Sequence, residues 1–178
     1  MDDLRYPIGA FEAGPPPDLN MRTNLLSQLS DAPDRLRAAV SGLSESQLET
    51  PYRPGGWTVR QVVHHLADAY MNWYIRTKLA LTEDAPAIRT YDEARWAKLN
   101  DARTAPLDHS MTLIEGLTRR WAMLFDSLSK QEWKRSIVHP ERGTMTLDSI
   151  LPLIVWHAKH HTAHITSLRT RMGWLKTG

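Results

Sequence analysis

The chain has 178 residues, 42% of them hydrophobic, which suffices for one domain with a real core and not for two. Its formal charge of +2, with both signs interspersed, offers no basic surface for nucleic acid, and the absence of cysteine excludes disulfides, cysteine-based zinc sites and a protein thiol nucleophile. The opening MDDLRYPIG lacks the basic and apolar regions of a signal peptide. The longest apolar run, Leu151 to Trp156, falls far short of the roughly 20 residues that cross a bilayer, so the expected location is cytoplasmic, with no membrane partner.

Residues 1–18 read as an irregular segment, because Gly9, Gly14 and Pro15-Pro16-Pro17 oppose regular structure. A first helix is expected from Asn20 to Gly42, kinked or restarted at Pro33. Ser44 to Gln47 has the form of a capping box opening a short helical turn, which Pro51 and Pro54-Gly55-Gly56 end. Thr58 to Gln61 repeats that pattern and starts a second helix running toward Leu79. The connection 80–108 is long for a structureless loop, and Tyr91 to Leu99 is a candidate helical piece within it. A third helix spans Ser110 to Leu128, followed by another capping pattern at Ser129 to Glu132. The fourth runs from Thr146 or Leu147 to Met172, with Arg169 and Arg171 where cations suit the helix dipole and Gly173 as its stop. No stretch shows sustained strand alternation. The expected fold is all-α, a four-helix bundle with two tight joints and a long crossover between helices 2 and 3, forming a single domain over 1–178.

Six of the eight histidines fall in two clusters, His64-His65 on helix 2 and His157, His160, His161 and His164 on helix 4. A helical wheel puts His65 at the edge of the inward arc of Val59, Val62, Leu66 and Trp73, and turns His64 outward. On helix 4, His161 lies within the apolar arc and His157 on its border. Four residues apart, their rings stack along one face, as in the His-x-x-x-His zinc helices. His160 and His164 form the alternative pair, lying further round. A lone inward histidine is ordinarily a core residue with a partner, but three on two helices would each need a partner or cost roughly 1–3 kcal/mol. His65, His157 and His161 are therefore the candidate ligands of one divalent ion. His109 and His139 sit in loop contexts and are expected to be exposed.

Four segments resemble a known family: Tyr6 to Gly9, Thr50 to Asp68 (TPYRPGGWTVRQVVHHLAD), Thr82 to Arg89 (TEDAPAIR) and Val155 to Ile165 (VWHAKHHTAHI). They resemble the DinB-like bundles, specifically the YfiT-type branch of metal-dependent hydrolases, over nearly the whole chain. The resemblance implies a histidine before Leu-Ala on helix 2 and a His-x-x-x-His pair on helix 4 as metal ligands, which again fall on His65, His157 and His161. It also implies a homodimer. Many relatives follow the last ligand with Gly-Gln, whereas Thr162-Ala163-His164 stands here, which opens a ligand or supporting role to His164.

Three imidazoles leave a small divalent ion open positions, and such an ion lowers the pKa of bound water toward about 7. The reading is a metal-dependent hydrolase that activates water against a small-molecule substrate. Imidazole suits Zn, Ni, Fe and Cu alike; zinc is the first expectation and nickel the second. One alternative is a metal-dependent thiol S-transferase, in which the ion stabilises the thiolate of a low-molecular-weight thiol; with no cysteine in the chain, that thiol is a cosubstrate. Another is a non-catalytic, metal-stabilised bundle. Asp68, one turn after His65, is a candidate for orienting a ligand ring. Trp57 and Trp156 read as packing aromatics, and Arg89 and Tyr91 as candidates for the mouth of the site.

Overall fold

The computed structural model describes residues 4–174, and in it every capping sequence forms. Thr58 Oγ1 accepts the amide of Gln61 (3.2 Å) while Gln61 Oε1 accepts that of Thr58 (2.9 Å). Two otherwise orphaned donors are thereby satisfied at the start of α4, Val59–Thr82. The Ser44–Gln47 box opens the short α3, Glu45–Leu48, and the Ser129–Glu132 box a 3₁₀ turn, Glu132–Lys134. The first bundle member is two helices, α1 (Leu19–Ser30) and α2 (Ala32–Val40), broken at Asp31. Pro33 explains the break, since it lacks the N–H that would continue the ladder and suits a helix start. From the last helix, Arg169 donates to the carbonyls of Ala39 (2.7 Å) and Ser41 (3.0 Å), closing the end of α2.

Short helices α5 (Glu93–Trp96) and α6 (Asn100–Thr104) punctuate the crossover, and α7 spans Leu107–Asp126, starting three residues earlier than the stripe of apolar positions suggests. Between α7 and α8 (Leu147–Arg171) lies an antiparallel hairpin, β1 (Ser136–His139) with β2 (Gly143–Thr146). The sequence offered no strand signal, because each strand is only four residues long and its alternation, with Ile137 and Met145 inward, is too brief to register.

Around the bundle, α4 packs against α7 and α8, and the α1–α2 pair packs against the same two helices. The first and second members thus face one another across a diagonal. The joints at 41–58 and 127–146 cross diagonals and are built from α3 and the hairpin, so they are not the tight turns expected, whereas the long crossover joins neighbours. Trp121, Phe125, Leu29, Leu36, Leu66, Ile114, Ile150 and Ile154 fill the interior. Trp121 Nε1 donates to Thr77 Oγ1 (3.1 Å), which donates onward to the Trp73 carbonyl (2.9 Å), tying α7 to α4 at full burial. Among the described residues no helix is long and apolar enough to cross a membrane.

Candidate metal centre

Adjacency of α4 and α8 decides which histidines meet. The structure brings His65, His157 and His161 together, each offering one ring nitrogen within 4.8 Å of the others. His65 Nε2 lies 3.3 Å from His157 Nε2, about the separation that a tetrahedral ion with bonds of roughly 2.0–2.1 Å imposes on two of its donors. Burial holds the His65 imidazole down at about 4, with His164 and His160 adding to the effect. His157 and His161 are pushed well below the ordinary histidine range, again by burial first and neighbouring rings second. All three rings are therefore neutral at pH 7, with lone pairs free to bind a cation. Neutral, the two facing nitrogens can share one N–H···N hydrogen bond or both turn their lone pairs to a cation between them.

The remaining histidines of α8 stand around this trio. His164 Nε2 is 3.0 Å from the carbonyl oxygen of Arg5 and must donate to it, so in a neutral ring its Nδ1 is the acceptor. His161 Nδ1, 3.4 Å away, is then the donor, and His161 Nε2 is left with its lone pair. His164 is stacked on Tyr52 at a centroid distance of 3.9 Å. The N-terminal segment, the Tyr52 turn and α8 thus jointly fix the tautomer of one candidate ligand. His160, buried against Trp156 (4.5 Å) and facing Tyr6 (5.7 Å), has its Nδ1 enclosed with no hydrogen-bond partner among the described residues. The His160/His164 pair does not converge with His65 in this way.

Several surrounding residues differ from expectation. His64 is 6% exposed, not outward in solvent: it contacts Ser110 Oγ (2.7 Å) and the Ala105 carbonyl (3.1 Å), because α6 and α7 cover the second face of α4. His139 is also 6% exposed, carried inward by the hairpin and stacked on Trp73 (6.3 Å). His109 is exposed. Asp68 is half-buried and donates or accepts no side-chain bond to a histidine; burial, with Asp101 nearby, raises its carboxyl to about 6. Trp57 lies against two of the three rings, 4.6 Å from His65 and 6.2 Å from His161, so it is a wall of the site as well as a packing residue.

Outside the rings a cavity of about 540 Å³ opens between Tyr52, Arg53, Trp57, Arg142 and the α8 histidines. A second, of about 400 Å³, continues past His157 toward Trp73, Arg76, Tyr91 and His139. Both include Glu93, Arg142, Trp156 and His157 in their walls. Tyr91 therefore lines the approach, as anticipated, while Arg89 contributes its backbone carbonyl to Arg76 (3.0 Å). The roles of Arg5, Tyr52, His139 and Arg76 escaped sequence reasoning; the Pro54-Gly55-Gly56-Trp57 turn was the available signal for the first wall.

This architecture defines a class: a four-helix bundle in which adjacent helices converge three neutral imidazoles on a point that opens to a cleft. The chain belongs to the DinB superfamily, whose model matches residues 28–165. It is 51% identical to a Bacillus licheniformis protein provisionally named a metal-dependent hydrolase, over 98% of this chain and 99% of that one. A Geobacillus thermodenitrificans protein of the same provisional name is 49% identical over 98% of each. The solved structure of YfiT from Bacillus subtilis, described as a probable metal-dependent hydrolase with an unusual four-helix bundle topology, superposes with a TM-score of 0.95 at 48% identity, covering 97% of this chain and 99% of that one.

Proposed function

We propose that this protein is a metal-dependent hydrolase acting on a small molecule, with His65, His157 and His161 holding one divalent ion, zinc in the first place and nickel in the second. The observation that carries the reading is the facing pair of neutral Nε2 atoms at 3.3 Å with His161 beside them, His157 and His161 lining an open cavity. The provisional naming of the relatives supports it. A divalent ion held there supplies Lewis-acid polarisation and acidifies the water it binds, toward about pKa 7.

What the chain's own residues do follows from their places. His164, anchored on the Arg5 carbonyl, takes the Nδ1–H of His161 and keeps Nε2 directed to the ion. Trp57 closes one side of the rings and strips water from that side, which strengthens electrostatic interaction with anything bound opposite. Arg142, exposed in the hairpin turn and shared by both cavities, offers a cation to the developing negative charge of an attacked carbonyl or phosphoryl group.

The test is elemental analysis of untagged protein, wild type beside His161→Ala, followed by ester and amide hydrolysis with and without added metal. About one ion per chain in the wild type, lost in the variant together with turnover, is the expected result. No bound metal after incubation with zinc and nickel would remove the reading. Turnover seen only when a low-molecular-weight thiol is supplied would reassign the chemistry to thiol transfer.

A further inference from the structure

Arg76 lies eleven residues beyond His65 on α4, a rotation that returns to the same helix face about 16 Å further along the axis. It is 6% exposed, yet among the described residues no carboxylate lies within ion-pair distance of it. Its guanidinium rests on the face of Trp73 (4.7 Å), and one of its groups, Nη2, donates to the Arg89 carbonyl. Among the described residues Nε and Nη1 have no acceptor, and Arg76 forms part of the wall of the cavity that reaches His157. A guanidinium withdrawn from water without a bonded counter-ion is costly, and burial draws its pKa down, with Tyr91 and Glu93 opposing only in part.

A second donor faces the same space. The amide of Glu141 donates to His139 Nδ1 (3.2 Å), which fixes the proton of that neutral ring on Nε2. His139 is stacked on Trp73 and lines the same cavity. Its Nε2–H has no protein acceptor among the described residues. Asp92, Glu93 and Glu141, the acids of this cavity, are all exposed; Glu93 acts on Arg76 through space, but among the described residues none of the three is ion-paired with it.

We propose that Arg76 and His139 form an anion subsite that takes the carboxylate of an elongated small-molecule substrate, whose other end reaches the histidine trio at His157. The remaining N–H donors of the guanidinium give a carboxylate charge-assisted hydrogen bonds, and the His139 Nε2–H adds a neutral one. This rests on the hydrolase reading for the identity of the reacting end. The subsite itself does not need the metal. It restricts the substrate class to anions carrying their charge remote from the bond that reacts.

Isothermal titration of succinate into metal-free protein tests it, with succinamide as the uncharged counterpart and inorganic phosphate as the tetrahedral one. Succinate is expected to bind the wild type and His161→Ala equally, succinamide not at all, and Arg76→Met with about tenfold or weaker affinity. If Arg76→Met does not fold by circular dichroism, His139→Phe, which keeps the stack on Trp73 and removes the Nε2–H, is expected to weaken succinate several-fold. Equal binding of succinate and succinamide, no binding of succinate, or unchanged binding in the folded variants would overturn the subsite. Phosphate bound more tightly than succinate would overturn the carboxylate assignment. Because His161→Ala lacks the proposed metal centre, loss of metal binding and loss of anion binding are read separately.

Discussion

Replacing His164 with phenylalanine isolates the part played by its two nitrogens. Phenylalanine keeps a ring against Tyr52, where the present stack is 3.9 Å, but offers no acceptor to His161 Nδ1 and no donor to the Arg5 carbonyl. The candidate ligand then loses the bond that selects its tautomer and holds its ring plane. Outer hydrogen bonds of this kind change metal affinity roughly 10–100-fold, which corresponds to about 1.4–2.7 kcal/mol. Competition for zinc against a chromophoric chelator reads the affinity, and thermal melts of the metal-free variant read stability apart from it. The expected result is a zinc Kd weaker by tenfold or more. An unchanged Kd in a folded variant would refute the proton arrangement argued from the 3.0 Å contact to Arg5.

The metal-free protein should lose stability as pH falls from about 6.5 toward about 4. His65 and His160 are held at about 4 and the other buried histidines are lowered in the same direction, so the unfolded chain binds more protons over that window, at up to about 1.4 kcal/mol per pH unit for each group. Urea unfolding at several pH values checks this, and a flat profile contradicts it. Thr77→Val leaves the fully buried Trp121 indole N–H without its acceptor and should cost about 1–3 kcal/mol in denaturant melts, with a smaller added loss when Trp121→Phe accompanies it. Gly56→Ala would set a Cβ 2.7 Å from Arg53 Cγ and 3.1 Å from Tyr52 Cε1, so it should shift the turn that carries Tyr52 and Trp57 and weaken zinc binding; unaltered affinity would show that the turn yields without moving the walls.

The long helices and the facing histidines were legible because their signals are local and periodic. A four-residue spacing puts His157 and His161 on one stripe whatever surrounds it, and Thr58-Gln61 names its own helix start. His64 was misread for a reason of the same kind: a wheel assumes one inward face, whereas α4 is covered on a second face by α6 and α7, whose packing is set by long-range contacts. His139 was misread because a four-residue strand carries too few alternations to reveal its direction. The wall made by Tyr52 and the anchor at Arg5 depend on residues distant in sequence meeting, and no spacing within one segment encodes such meetings.

The separation of the facing histidines, 92 positions between His65 and His157, and of the anchor, 159 positions between Arg5 and His164, has a consequence for biosynthesis. A nascent chain presents His65 long before its partners leave the ribosome, so no early fragment possesses the centre. Contacts of such sequence range form late and slowly, and an ion captured only by the finished arrangement stabilises the native state by mass action without rewarding partial ones. Metal uptake would then act as a seal on completed molecules, set only after the Arg5 carbonyl has met His164.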